Sequence, residues 1–138
     1  MNSLTRVFDF SASHRLAHPD WSDERNQEIF GKCSNSAGHG HNYVLEVTVA
    51  GRMDPDTRMV MDAAQLKGLV EERVISDVDH KYLNTQVPWL TGLIPTVEQL
   101  CESFWQRLEL PIREICPGAT LMRIRLWETP RIYACKEV

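Results

Sequence analysis

The chain has 138 residues, a formal net charge of −4, 43% hydrophobic and 25% charged residues. That is the length of a single compact domain over 1–138, with enough chain to bury a core without disulfides or a structural metal. The acidic balance argues against a nucleic-acid binder, which normally carries a basic face, although a local group of Lys and Arg can still hold an anionic substrate. A metal in such a domain is expected to serve chemistry more than folding.

Residues 4–14 alternate, with Phe8, Phe10, Ala12 and His14 on one side and Val7, Asp9, Ser11 and Ser13 on the other, which predicts a strand. Nothing in this opening segment resembles a secretory signal, since Arg6 and Asp9 interrupt it and no long apolar core follows. Residues 17–40 read as a long polar connection holding His18, Gly31, Gly38 and Gly40, and long loops in small domains are usually functional or disordered. A second strand is expected over 41–51, where Tyr43, Leu45, Val47 and Val49 alternate against Val44, Glu46 and Thr48. Asp54 to Thr57 is a turn, and Asp62 is placed to cap a helix over 63–76 whose stripe is Leu66, Leu69, Val70 and Val74.

A loop from Ser76 to Pro95 follows. Thr96 precedes Gln99 at capping-box spacing, and Glu98 lies near the positive helix end. The second helix shows Val97, Leu100, Cys101, Phe104, Trp105 and Leu108 on one face, with Pro111 and Pro117-Gly118 expected to punctuate its exit. Residues 119–128 and 131–137 read as two last strands around Thr129-Pro130. The order ββααββ predicts an α+β domain, an antiparallel sheet with both helices on one face. Its two open edges need management, and sheet extension between copies would do that. No run is long and apolar enough for a membrane span.

The chemistry concentrates at His39-Gly40-His41. Histidines two apart in extended chain point the same way and can share a metal, and pairing of the first two strands would bring His14 beside them. Three neutral imidazoles leave a dication charged with an open position, the pattern of a catalytic site; an HxH pair alone is a weak signal and by itself reads first as surface histidines in a polar loop. His18 falls outside this spacing and reads as a loop histidine. The four cysteines form no CxxC pair and no disulfide framework, so reduced thiols in a cytoplasm are expected. Cys101, Cys116 and Cys135 read as small buried hydrophobes. Cys33 sits among polar residues, and beside a dication its thiol would ionise readily and act as a base. Asp79-His80 is either a polar loop with a capping Asp or an acid/base pair formed across a turn. Glu128 continues the line of Met122, Ile124 and Leu126; it is either an exposed strand end or a carboxylate that accepts paired N–H donors from a guanidine-like ring edge.

Phe10-Ser11-Ala12-Ser13-His14-Arg15-Leu16, Phe30-Gly31-Lys32-Cys33 with Gly38-His39-Gly40-His41-Asn42-Tyr43, Asp79-His80-Lys81-Tyr82-Leu83-Asn84, Pro95-Thr96-Val97-Glu98 and Trp127-Glu128-Thr129 together resemble, in order across nearly the whole chain, the 6-pyruvoyl-tetrahydropterin synthase and 6-carboxytetrahydropterin synthase family. The resemblance implies the tunnelling fold, with a four-stranded antiparallel sheet, trimers closing a barrel and two trimers forming a homo-hexamer. It implies zinc (Zn2+) held by His14, His39 and His41, Cys33 as general base, and Asp79 and His80 as a proton relay reaching a neighbouring subunit's site. Glu128 would anchor the pterin, with Thr96 lining its pocket, and Lys32, Arg15 and Lys81 are candidate cations for the triphosphate. The implied protein is a cytoplasmic lyase of tetrahydrobiopterin biosynthesis that turns 7,8-dihydroneopterin triphosphate into 6-pyruvoyl-tetrahydropterin. Its alternatives are the carboxy enzyme of the queuosine pathway, which also releases acetaldehyde, and a non-catalytic pterin-binding protein. The six-residue step from Cys33 to His39 resembles the pyruvoyl group. No GxGxxG or Walker pattern is present, in keeping with a reaction that needs no nucleotide cofactor.

Overall fold

The computed structural model describes residues 1–138. Strand β1 is Asn2–His14, helix α1 Asp23–Phe30, β2 His39–Gly51, α2 Ala63–Val70, α3 Ser76–Val78, β3 Lys81–Tyr82, α4 Val97–Ile115, β4 Ala119–Thr129 and β5 Ile132–Glu137. The sheet order is β3-β1-β2-β4-β5. All neighbours are antiparallel except β3, which runs parallel to β1 through Ala12 and Ser13.

The predicted faces hold. Phe8, Phe10, Ala12 and His14 are buried on the same side as Tyr43, Leu45, Val47 and Val49, and α2 and α4 cover that side with Leu66, Leu69, Val70, Leu100, Phe104 and Leu108. Phe10 stacks on Tyr43 at 4.8 Å between centroids and meets the edge of Phe104 at 6.0 Å, so the aromatic centre of the core lies directly behind the end of β1. The opposite side of the sheet is uncovered in the single chain.

The sheet has five strands, where four were expected. β3 is two residues long, too short for any periodicity, and exists only because its backbone meets the edge of β1. The connection 17–40 is not a plain loop: it folds α1 and then a 3₁₀ turn over Gly31–Ser34. Helix α1 has no apolar stripe. Ser22 caps it, Asp23 and Glu24 fill its first turn, and its one buried residue, Asn26, bonds the backbone of His18 and Trp21. The first predicted helix passes through a π-helical turn over Glu71–Ile75 and ends at Val78. The second runs through Pro111 to Ile115, because full burial of Ile112 holds the last turn against the loss of one N–H donor. Of the cysteines read as buried, Cys101 is buried, Cys116 is half-buried and Cys135 is exposed, because it lies on the uncovered side of edge strand β5.

Candidate active site

The β1–β2 register sets His14 opposite His39 and Ala12 opposite His41, which puts all three rings on the core side at one end of the sheet. Their centroids lie 4.6, 5.1 and 4.9 Å apart, and one nitrogen from each falls within 4.8 Å of the others. His14 is fully buried, and its Nδ1–H donates to the Pro95 carbonyl at 2.8 Å. That bond selects the tautomer and leaves the Nε2 lone pair facing His39 Nε2 at 3.0 Å. Burial, first of all, pushes the His14 pKa from 6.5 to about 4, with His39 and His41 adding to it against the Pro95 bond. His41 is also pushed below its ordinary value, mainly by burial, while Glu128 opposes the shift. Both rings are therefore neutral at neutral pH and available as ligands.

This donor set fits a divalent metal. His41 Nε2 is buried without a hydrogen-bond partner, with Glu128 Oε1 3.3 Å away. Nitrogens sharing a tetrahedral zinc at about 2.0–2.1 Å stand about 3.3 Å apart, close to the spacing of His14 and His39. Glu128 reaches the group because it continues the core-facing alternation of Ile124 and Leu126 on β4, the strand paired with β2.

The other predicted residues lie outside the metal-competent group. Asp79 Oδ1 accepts from the Ser11 backbone N–H at 3.0 Å and pairs with His80 Nδ1 at 2.9 Å. The Ser11 bond, before the His80 contacts, holds the Asp79 carboxyl below its ordinary pKa. Adjacent side chains meet here because His80 adopts φ 60°, held by its own N–H on the Ser11 carbonyl at 2.6 Å. Its ring is 81% exposed, pointing away from the chain that carries it. A cleft of about 480 Å³ is bordered by Ser13, Gly40, His41, His80, Lys81 and Gln86.

Cys33 is half-buried in the 3₁₀ turn, and its carbonyl accepts from the Leu16 N–H at 2.8 Å, two residues past His14. Thr96 spends its hydroxyl on the Gln99 N–H at 3.1 Å as the cap of α4; Gln99 turns to Ser103 and does not close the reciprocal half of a capping box. Lys32 is exposed and Lys81 lines the cleft, whereas Arg15 Nε donates to the Ser34 carbonyl. His18 stacks on Trp21 at 4.7 Å, apart from the three histidines.

Three contributors escaped the sequence reading. Pro95 acts through its carbonyl, which no side-chain pattern reveals. Asn84 bonds both the N–H and the carbonyl of Arg15 at 2.8 and 2.7 Å. Gly38 has φ 71°, and a Cβ there would stand 3.1 Å from the His14 carbonyl and 3.2 Å from the Tyr82 ring, so the β2 entry can approach the first ligand only as glycine.

Fold and site define an α+β protein with three histidines at one end of its sheet that could hold a metal ion. The family model described as 6-pyruvoyl tetrahydropterin synthase matches residues 3–137. A 6-pyruvoyl tetrahydrobiopterin synthase of Pongo abelii is 43% identical over 126 residues, 91% of this chain and 84% of the relative. The solved structure of Caenorhabditis elegans 6-pyruvoyl tetrahydropterin synthase superposes with a TM-score of 0.89 at 35% identity, covering 99% of this chain and 95% of that one. A 6-carboxy-5,6,7,8-tetrahydropterin synthase of Aquifex aeolicus (strain VF5) is 29% identical over 151 residues, 91% of each chain. The chain belongs to the 6-pyruvoyl tetrahydropterin synthase family.

Proposed function

We propose that this protein is a zinc-dependent lyase that converts 7,8-dihydroneopterin triphosphate into 6-pyruvoyl-tetrahydropterin and releases triphosphate. The observation that carries the reading is the closure of His14, His39 and His41 into one ligand group within a chain that matches the synthase family along nearly its whole length. The pyruvoyl product is preferred because the 43% identical relative carries that name, against 29% for the carboxy enzyme.

Zinc held by the three histidines would supply Lewis-acid polarisation of oxygens on the substrate side chain, which acidifies the adjacent C–H bonds. Cys33 as thiolate takes a proton from the side chain and returns it toward the ring. Asp79 holds His80 at Nδ1, which leaves Nε2 free to exchange a proton. Glu128 accepts N–H donors from the pterin edge, and Thr96 borders the same pocket. The ring is reduced at the expense of its own side chain, so no external hydride is needed, and triphosphate leaves by elimination.

The tunnelling assembly belongs to this reading: trimers closed through sheet edges, paired into a hexamer, with Asp79 and His80 serving a neighbour's zinc. Its support is an open sheet whose last edge strand exposes Ile132 and Tyr133, together with the outward ring of His80. Four free cysteines support a reducing, cytoplasmic setting. No helix is long and apolar enough to cross a membrane.

The deciding experiment is product identification by mass spectrometry after incubation of zinc-loaded protein with 7,8-dihydroneopterin triphosphate. Triphosphate without acetaldehyde is expected; acetaldehyde with a carboxy product would move the protein to the queuosine branch, and an untouched substrate would leave only pterin binding. Glu128→Ala is expected to raise KM about 10- to 100-fold, the loss of a charge-assisted hydrogen-bond pair, with zinc content unchanged. Normal substrate affinity in that variant would remove Glu128 as the anchor.

A further inference from the structure

We infer that Arg15 and Asn84 form a strap that sets the Cys33 turn against the end of β1, making Arg15 a positioning residue for the thiol and not a phosphate ligand. The inference rests on the reading of Cys33 as the proton-moving group. Four hydrogen bonds carry it. Asn84 presents Oδ1 to the Arg15 N–H at 2.8 Å and donates from Nδ2 to the Arg15 carbonyl at 2.7 Å, so one side chain saturates one peptide unit on each side of the same Cα. Arg15 Nε then donates to the Ser34 carbonyl at 2.6 Å, and the Leu16 N–H donates to the Cys33 carbonyl at 2.8 Å.

Two consecutive carbonyls of the cysteine turn are therefore gripped by the two residues that follow the ligand His14. The turn needs this grip from outside. It is a single 3₁₀ turn entered through Gly31 at φ 58°, and its internal support is the Asn35 N–H on the Lys32 carbonyl at 3.2 Å together with Ser34, whose hydroxyl bonds the Gly31 carbonyl at 2.9 Å and Gln27 at 3.1 Å. Asn84 in turn belongs to the segment that begins with Asp79 and His80. That segment is tied to β1 by the Leu83 N–H on the Ser13 carbonyl at 2.8 Å. The strap thus joins three pieces of sequence, 13–16, 33–34 and 79–84, and each carries one part of the proposed chemistry. A guanidinium whose Nε is committed to a main-chain carbonyl is oriented by that bond, and its removal displaces the turn. Displacements of about 1 Å at a reacting group cost on the order of 100-fold in rate.

The test compares wild type with Arg15→Met, which keeps the length of the side chain and loses the N–H donor, and with Asn84→Ala, which frees the Arg15 peptide. Four readouts are taken on zinc-loaded protein: kcat, KM for the pterin triphosphate, zinc content, and the rate of Cys33 alkylation by iodoacetamide resolved by peptide mass spectrometry. In both variants kcat is expected to fall 10- to 100-fold. KM and zinc content should stay within about two-fold, and the Cys33 alkylation rate should change several-fold while that of exposed Cys135 stays constant. A KM raised with kcat and Cys33 reactivity unchanged in Arg15→Met would make Arg15 a phosphate ligand and overturn the inference. So would wild-type behaviour in either folded variant; if Arg15→Met does not fold, Asn84→Ala decides alone. Because alkylation is read without turnover, a protein that fails to consume the pterin would refute the proposed activity and still leave the strap to be judged on Cys33 reactivity.

Discussion

Cys33→Ala is expected to lose turnover by roughly 10²- to 10⁴-fold, the usual worth of a positioned acid/base group, while zinc content, assembly and fold stay as in wild type. The reason for this separation is structural. Cys33 lies outside the three-histidine group, and the contacts that hold its turn run through its main-chain carbonyl and through Ser34. Loss of the Sγ atom therefore leaves the Leu16 and Arg15 bonds in place. The half-buried side chain also leaves little cavity on truncation, unlike buried Cys101, whose thiol burial pushes up to about 12 and keeps protonated. Cys33→Ser is expected to recover little, since a hydroxyl is far harder to ionise than a thiol near neutral pH. Steady-state kinetics with metal analysis on the same preparation checks this. Unchanged kcat in Cys33→Ala would remove the residue from the mechanism.

Metal removal is expected to have the other large effect. Dialysis against a chelator should lower kcat by roughly 10³-fold or more, in line with several kcal/mol of Lewis-acid stabilisation, and added zinc should restore it. The chelated protein should keep its far-ultraviolet circular dichroism and melt cooperatively, because the buried cluster of 28 core residues does not depend on the ion. Substitution divides the three ligands. His39 is half-buried, so His39→Ala should lose metal and activity with a small change in Tm. His14 is fully buried and bonded to Pro95, so His14→Ala should lose metal and also destabilise the fold by about 1–3 kcal/mol, since the Pro95 carbonyl is left without its donor. His18→Ala should do neither, because that ring packs on Trp21. Zinc retained in His14→Ala together with zinc lost in His18→Ala would reverse the ligand assignment.

Much of this protein is legible in its sequence because its elements obey local rules. The period-two alternation of β1 and β2 put Phe8, Phe10, Ala12, Tyr43, Leu45, Val47 and Val49 on the buried face, and the caps at Asp62 and Thr96 marked where two helices begin. The same alternation aimed His14, His39 and His41 to one side, and the run of motifs carried the family. These signals are encoded in neighbouring residues, and burial of a continuous apolar stripe rewards them regardless of what lies elsewhere in the chain.

What the tertiary structure alone decided are the features made by contacts between distant segments. β3 exists as an edge on β1, α1 is held by buried Asn26 without an apolar face, and α4 outlasts Pro111 because Ile112 is buried. The site depends on the same kind of contact. The Pro95 carbonyl that selects the His14 tautomer is 81 residues away, and Asn84, which clamps Arg15, is 69 away. Glu128 meets His41 because the pairing of β4 with β2 brings those two strand ends together. Main-chain donors and acceptors carry no residue identity, so no sequence pattern announces them. Their partners are set when the packed core brings the strand ends and loops to a common place, and that is where the sequence stops and the fold decides.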